Sequence, residues 1–392
     1  MTEALSFGCR LNAAESEAMR ALAPGAGWAG ALLVNTCAVT AEAEAQARQA
    51  IRRAHRADPA RPILVTGCAA QVAPAAWAAL PGVARVIGNG AKLDPASWDA
   101  PVGPIPRGAP VVAAASGGTR AVLAVQQGCD HACTFCVIPR GRGPARALPV
   151  AEAASRAAAL AERHREIVLS GVDLASHPDL PGLVRAVLRA APGLARLRLS
   201  SLDPAALDER FWAVWAEEER LAPFLHLSLQ HAEDLVLKRM GRRHRHAGLL
   251  ALFRRARDLR PGAALGGDLI AGFPTESEAQ HAWLEQFIAE AGLAFAHVFP
   301  YSARPGTPAA RMPALPVPLR RERAARLRAA AAASRARFLR GRVGCLEEVL
   351  MESDQRGHSA HLVPVALAAP RGALVRARIT DTDGATLRGE AA

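Results

Sequence analysis

The chain has 392 residues, of which 51% are apolar, so it is long enough for two or three domains with sizeable cores. No apolar run approaches the roughly 18 residues that a membrane span needs, and the N-terminal MTEALSFGCRLNAAESEAM lacks the basic and apolar regions of a secretion signal; both predict a cytoplasmic protein with no membrane partner. A formal net charge of +12 favours polyanions, but lysine occurs only at 92 and 238, so the excess is an arginine-rich composition as much as a nucleic-acid surface.

In chain order, a short strand leads to Phe7, Gly8 and Cys9, and residues 11–23 follow as a helix. The buried-strand run 31–34 ends at Asn35, Thr36 and Cys37. Residues 41–56 carry acids first and bases last, which suits a helix macrodipole. The run 62–65 is a third strand, ending at Thr66, Gly67 and Cys68. Strands alternating with helices predict an open parallel α/β sheet. Cys9, Cys37 and Cys68 then share one edge, at the carboxyl ends of three strands, where such sheets bind ligands. Gly8 and Gly67 leave room for a bulky ligand to approach the backbone. The plain alternative is three unrelated core cysteines.

Residues 94–118 are a Pro-, Gly- and Ala-rich linker. A second α/β block has strands at 120–126, 166–170, 195–200, 224–229, 264–270 and 294–299, with helices at 150–163, 204–218, 232–240, 246–260 and 276–291 between them. Six βα units predict a partial (β/α)6 TIM-like barrel rather than a closed eight-fold one. Residues 320–340 are a basic helix, most simply a solvated one. The tail turns to short alternating strands, the pattern of a small β-barrel. The domains expected are 1–115, 116–338 and 339–392.

Cys129, Cys133 and Cys136 form a C-x3-C-x2-C loop in QQGCDHACTFC, just past a strand. In a reducing compartment grouped thiols are metal ligands before they are disulfides. Structural zinc wants four ligands, and no fourth Cys or His stands at a standard spacing; His131, inside the loop, is poorly placed. A cubane iron–sulfur cluster held by three thiolates accounts for the count and leaves one iron open. The dispersed cysteines make a second triplet, and Cys345 is left over.

The compact loop resembles the signature of radical S-adenosylmethionine enzymes. The segments VQQGCDHACTFCVIPRGRGPAR, GCRLNAAESEAM, VNTCAVT, GCAAQ, EIVLSGVDL, LRLSSLDP, LHLSLQHAEDLVLKRMGRRH, GGDLIAGFPTE and HVFPYSARPGTPAARM resemble the methylthiotransferase family over nearly the whole chain. That resemblance implies an N-terminal methylthiotransferase domain with an auxiliary [4Fe–4S] cluster on Cys9, Cys37 and Cys68. It implies a radical core whose [4Fe–4S] cluster sits on Cys129, Cys133 and Cys136, and a C-terminal RNA-binding TRAM domain. S-adenosyl-L-methionine would serve as radical source and as methyl donor. The radical would take the C2 hydrogen of an adenine, a C–H that acid–base groups cannot activate, and a methylthio unit would replace it.

Gly171 and Asp173 resemble the family's contacts to the methionine end of the cofactor, with an ordinary strand–loop turn as the alternative. Ser200 and Gln230 are polar residues at strand ends of the barrel mouth and read as cofactor-binding; Ser201 and Asp203 equally suit helix caps. Asp268, flanked by apolar residues, needs a partner or a job and completes the cofactor-binding set. Arg140 and Arg142 are candidates for a cofactor carboxylate or an RNA phosphate, against the plain reading of surface arginines.

CTFCVIPRGRGPAR and LKRMGRRH most resemble the branch acting on N6-threonylcarbamoyladenosine at tRNA position 37. The alternatives are isopentenyladenosine of tRNA, an aspartate of a ribosomal protein, or a non-catalytic RNA-binding protein with a structural metal. The implied partners are the anticodon stem-loop of tRNA and an electron donor such as flavodoxin or ferredoxin, with the protein acting as a monomer. The sequence makes three departures from the family pattern: Ala69 for an aromatic, Gln127 for an acid, and His231-Ala232 for Ser-Gly.

Overall fold

The computed structural model describes residues 2–111 and 118–392. The boundary expected at 115/116 and residues 112–117 of the expected linker lie outside the described residues. The N-terminal sheet is formed by β1 (Glu3–Ser6), β2 (Leu32–Thr36), β3 (Ile63–Gly67) and β4 (Val83–Val86), parallel and in that order. β2 and β3 are buried at every residue because helices cover both faces. On one face Met19 of α1 (Arg10–Leu22) packs with Leu33 and Leu64. On the other, Ala47 and Ile51 of α2 (Ala41–Ala57) pack with Leu32, Val34, Ile63 and Val65. Thr40 caps α2 by accepting from the Ala43 N–H, and Glu42 and Glu44 sit in its first turn. Two short helices, α3 (Cys68–Val72) and α4 (Pro74–Ala78), join β3 to β4; they and β4 had no strong periodic signal.

Because these strands are parallel, their carboxyl ends share an edge. Cys9 caps α1, Cys37 directly follows β2, and Cys68 opens α3. Gly8 and Gly67 have φ of +96° and +100°, where glycine is favoured. A Cβ on Gly8 would lie 2.6 Å from Cys37 Sγ, and one on Gly67 would overlap the Thr36 backbone. The two glycines therefore draw neighbouring strand ends together, whereas the sequence had suggested room for a ligand.

The second block opens with β5 (Arg120–Ala124). A small antiparallel pair, β6 (Gln126–Gln127) and β7 (Arg146–Ala147), then brackets the compact cysteine loop and α5 (Ile138–Arg142). There follow α6 (Val150–Ala161), β8 (Glu166–Ser170), α7 (Leu180–Ala190), β9 (Arg196–Leu199), α8 (Glu209–Glu217), β10 (Phe224–Gln230), α9 (Asp234–Met240), α10 (His246–Leu259), β11 (Ala264–Ala271), α11 (Glu278–Glu290), β12 (Phe295–Pro300) and α12 (Val317–Arg340). Two parallel sheets, β5-β8-β9 and β10-β11-β12, meet through bridges at Leu197–Leu221 and Leu202–Leu227. Among the described residues no pairing returns β12 to β5, so the barrel is partial. Alternation fixes what faces inward: Leu225, Leu227 and Leu229 join the core under the helices, while His226, Ser228 and Gln230 are half-buried on the lumen side.

The tail is a closed barrel of β13 (Leu346–Ser353), β14 (Arg356–Ser359), β15 (Pro364–Ala366), β16 (Leu374–Thr382) and β17 (Leu387–Ala391). It docks at the amino ends of the large barrel's strands. Arg196 links Glu166 (2.9 Å) to Glu348 (3.0 Å), Arg198 donates to the Ala360 carbonyl (3.1 Å), and Arg120 pairs with Glu352 (2.6 Å). The basic helix α12 is not simply solvated. Ala324, Leu327 and Ala331 join the large-barrel core, Leu339 joins the small one, and buried Arg323 pairs with Glu276 at 3.1 Å.

Candidate iron–sulfur and cofactor site

The compact loop is held by bonds that leave its sulfurs free to point together. Gln126 donates to the Gly128 carbonyl (2.9 Å) and accepts the Asp173 N–H (2.8 Å). Thr134 is tied to α9 through the Met240 carbonyl (3.0 Å) and, by its hydroxyl, the Arg239 carbonyl (2.7 Å). Backbone N–H groups of His131 and Ile138 donate to Cys129 Sγ and Cys136 Sγ, each at 3.4 Å, and Arg242 lies 3.5 Å from Cys133 Sγ. These donors favour sulfur as an anion. Burial opposes them and raises Cys129 to about 12 and Cys136 to about 11. A bound cation is what makes thiolates of such thiols at neutral pH.

In the dispersed triplet Cys37 and Cys68 are buried and Cys9 is exposed. Burial raises Cys37 to about 11, and Cys68 and Cys9 are both close enough for their charges to add to the shift. The Val39 N–H donates to Cys37 Sγ at 3.4 Å. All seven cysteines are free thiols. Two groups of three soft donors, each partly supplied with N–H bonds, suit the thiolate ligation of iron–sulfur clusters. The triplets face each other across a seam. α5 lies on α3, where a Cβ on Gly141 would be 3.1 Å from Cys68 Cβ, and the charge of Cys68 acts on Cys136. Val137 and Ile138, just past the compact loop, join the core of the N-terminal sheet.

Beside Cys129 lies an ionic cluster. Asp173 Oδ2 is 3.9 Å from Cys129 Sγ and 2.8 Å from His131 Nε2. His131 also approaches Asp203 (3.4 Å), which Arg242 and Arg243 pair at 3.4 and 3.3 Å. Burial raises the Asp173 carboxyl, with His131 pulling it down and Asp203 pushing it up. Asp203 is depressed: burial is outweighed by Arg242, the Ala205 N–H and Arg243. His131 is better placed than its position in the loop implied, since its ring nitrogen, Cys129 Sγ and an Asp173 oxygen lie within 4.8 Å of one another. Asp203 both caps the turn at Pro204–Ala206 and anchors these arginines.

Other residues singled out from the sequence separate into two levels. Gly171 follows β8 and donates its N–H to Ser200 Oγ (3.1 Å), just past β9. Gln230 ends β10 at φ +66°, an uncommon backbone state for a non-glycine residue and one that recurs at functional sites. These three lie with Asp173 at the carboxyl ends of the strands. Asp268 sits deeper, inside β11, where its Oδ1 accepts from His226 (2.9 Å) and His297 (3.2 Å). Burial alone would raise its carboxyl; the two imidazoles hold it at about 2. His226 and His297 escaped the sequence reading, although strand alternation places His226 inward. Arg140 donates to the Pro305 carbonyl (2.8 Å), and Arg142 is buried rather than on the surface.

The Radical SAM superfamily matches residues 123–288, and Uncharacterized protein family UPF0004 matches residues 2–88. The chain is 39% identical over 382 residues to the threonylcarbamoyladenosine tRNA methylthiotransferase MtaB of Rickettsia prowazekii (strain Madrid E), covering 93% of this chain and 91% of that one. It is 36% identical over 379 residues to the tRNA-2-methylthio-N(6)-dimethylallyladenosine synthase of Novosphingobium aromaticivorans, covering 88% and 85%. Among solved structures, the radical S-adenosylmethionine methyltransferase TsrM of Kitasatospora setae, with cobalamin and a [4Fe–4S] cluster bound, aligns with a TM-score of 0.55 at 17% identity, over 76% of this chain and 70% of that one. That likeness supports the fold.

Proposed function

The chain belongs to the radical S-adenosylmethionine tRNA methylthiotransferases, enzymes that use S-adenosylmethionine and two [4Fe–4S] clusters, and from that membership we propose that it adds a 2-methylthio group to N6-threonylcarbamoyladenosine at position 37 of tRNA. The observation that carries the substrate is the 39% identity with the threonylcarbamoyladenosine enzyme along nearly the full length of both chains. The 36% identity with a dimethylallyladenosine enzyme supports the second reading, the same chemistry on that base.

In this reading Cys129, Cys133 and Cys136 hold the radical-generating cluster, and Cys9, Cys37 and Cys68 hold the auxiliary one. When bound, the first supplies an open iron and one electron for cleaving S-adenosylmethionine, and the second supplies a site for the sulfur to be transferred. The residues around them orient and exclude. Gly171 and Ser200, joined by their hydrogen bond, and Gln230 at the end of β10 line the mouth where the cofactor is held. Asp173, fixed by Gln126 and paired with His131, offers a carboxylate beside Cys129, where it would face a group held by the compact loop. Asp268, held ionised by two imidazoles, presents a polar surface inside the lumen rather than at the mouth. Packing of α5 on α3 brings Cys68 against the segment that follows the compact loop, and Cys37 and Cys68 are buried there, away from the water that a radical reaction must exclude.

The domains divide accordingly: sulfur donation in 1–115, radical chemistry in 116–338, and an RNA-binding TRAM-like barrel in 339–392. A flavodoxin or ferredoxin supplies electrons, and the enzyme works as a cytoplasmic monomer on the anticodon stem-loop. The test is mass spectrometry of nucleosides from tRNA incubated with the reconstituted enzyme, S-adenosylmethionine and a reductant. A 2-methylthio group on threonylcarbamoyladenosine is the expected result. Its appearance on isopentenyladenosine alone selects the second reading.

A further inference from the structure

Between the two cysteine groups lies a polar network with almost no contact with water. Glu15 of α1 is 0% exposed, Lys92 is 1% and Arg142, the last residue of α5, is 4%. Arg142 places both amino groups on Glu15, at 2.9 and 3.0 Å, and one on Asn12 Oδ1 at 2.5 Å. Lys92 bonds the same Glu15 carboxylate and Asn89 Oδ1. Asn89 in turn donates to the Gly141 carbonyl at 2.5 Å, the residue that packs on Cys68. Arg146 lies close by and donates to the Arg142 carbonyl. Two fully buried basic groups thus share one carboxylate, with a third base beside them.

A buried cation without a counter-charge costs several kcal/mol, so charge of this kind is paired. The remaining groups within reach that can take negative charge are sulfurs. Arg142 and Cys9 Sγ share one acceptor, Asn12 Oδ1, at 2.5 and 3.9 Å, and Gly141, the residue before Arg142, packs on Cys68. Arg142 in turn favours the thiolate of Cys37; burial lowers the Lys92 ammonium, with Glu15 and then Cys68 favouring its charged form. The guanidinium therefore lies within electrostatic reach of all three dispersed sulfurs, on the side from which the radical core meets the N-terminal sheet. Because Arg142 is six residues past Cys136, it ties the charge of one site to the position of the loop that carries the other.

We propose that Arg142 is a positioning residue for the auxiliary cluster: its charge, only partly answered by Glu15, stabilises the more negative, reduced form of the group held by Cys9, Cys37 and Cys68 and so raises its reduction potential. The inference rests on the assignment of that cluster to those cysteines. Glu15 has the opposite sign in the same network, and this gives the test its direction.

The measurement is a redox titration followed by electron paramagnetic resonance, on full-length protein carrying Cys129→Ala, Cys133→Ala and Cys136→Ala so that the only cluster signal comes from the dispersed site. Arg142→Gln should lower the reduced-to-oxidised ratio at a fixed potential by about tenfold, about 59 mV for a one-electron couple. Arg142→Lys should recover most of that loss, and Glu15→Gln should shift the ratio the other way. A merely structural role moves Arg142→Gln and Glu15→Gln in the same direction, or leaves both at the parent value, and either result overturns the proposal. Should Arg142→Gln fail to retain iron, Glu15→Gln decides, because a raised potential is required of it. Absence of iron from the starting background removes the cluster assignment itself and the proposal with it.

Discussion

The two cysteine triplets are built by opposite means. Cys129, Cys133 and Cys136 sit on one loop, bracketed by β6 and β7 and pinned by Thr134 and Gln126, so their grouping is a local property of the chain. Cys9, Cys37 and Cys68 lie past the ends of three strands and meet only when the parallel sheet has formed, with Gly8 and Gly67 drawing the strand ends together. The compact site is bordered by an acid–histidine cluster around Asp173, whereas the dispersed one is bordered by buried Arg142 and Lys92. A site made by a loop tolerates change elsewhere in the fold, and a site made by a sheet inherits every weakness of that sheet.

The largest expected effects separate the sites by chemistry. Cys129→Ala should abolish reductive cleavage of S-adenosylmethionine, measured as 5′-deoxyadenosine, and with it all product. Cys37→Ala should leave that cleavage in place and abolish methylthiolated nucleoside; persistence of the product would reverse the assignment of roles.

Next in size is the seam. Glu15→Ala leaves Arg142 and Lys92 buried against each other, a loss of about 3–5 kcal/mol for a broken buried pair. Chemical denaturation should detect it, with iron released from the dispersed site before the compact one. Simultaneous release from both would mean that the seam is shared more evenly than the contacts imply.

Gly8→Ala tests the sheet edge alone. The positive φ and a Cβ 2.6 Å from Cys37 Sγ together should cost about 2–3 kcal/mol. The auxiliary iron should be depleted while the compact site keeps its four irons, a number that quantitative iron analysis can resolve.

The smallest effect per residue concerns pH. Burial lowers His231 and His244, on the barrel side, to about 4. Below the ordinary histidine value of about 6.5 the unfolded chain takes up protons that the folded one refuses, so stability is lost as pH falls. At pH 5 each should cost about 2 kcal/mol. Glu15 behaves differently: burial is outweighed by Arg142 and Lys92, its carboxyl is held at about 2, and its contribution fades only as pH falls below about 4 toward that value. Hydrogen exchange should therefore show the barrel loosening between pH 6.5 and 5 while the seam stays protected.

Much of this was legible from strand and helix periods. The six barrel strands, the first three N-terminal strands with α1 and α2, and the small terminal barrel all carried local patterns, and the structure has them within a few residues. Helix α7 was passed over, although Leu183, Val184, Val187 and Leu188 carry a helical stripe. What stayed hidden was pairing across the fold. Arg142 looked like one more surface arginine because no local pattern announces a salt bridge to Glu15 through the domain seam. Lys92 did carry a faint signal, being one of two lysines in a chain that otherwise uses arginine. His231, a departure from the family pattern, turns out to be buried, accepting the Glu233 N–H at 3.0 Å and facing Glu276 at 3.8 Å.

The decisive measurement is iron content, with S-adenosylmethionine cleavage, on anaerobically reconstituted protein before and after Cys9, Cys37 and Cys68 are replaced together by alanine. Two separate cubanes predict a fall from about eight irons per chain to about four, with cleavage retained. An unchanged iron count, or loss of all iron and cleavage together, would contradict a pair of independent three-thiolate sites.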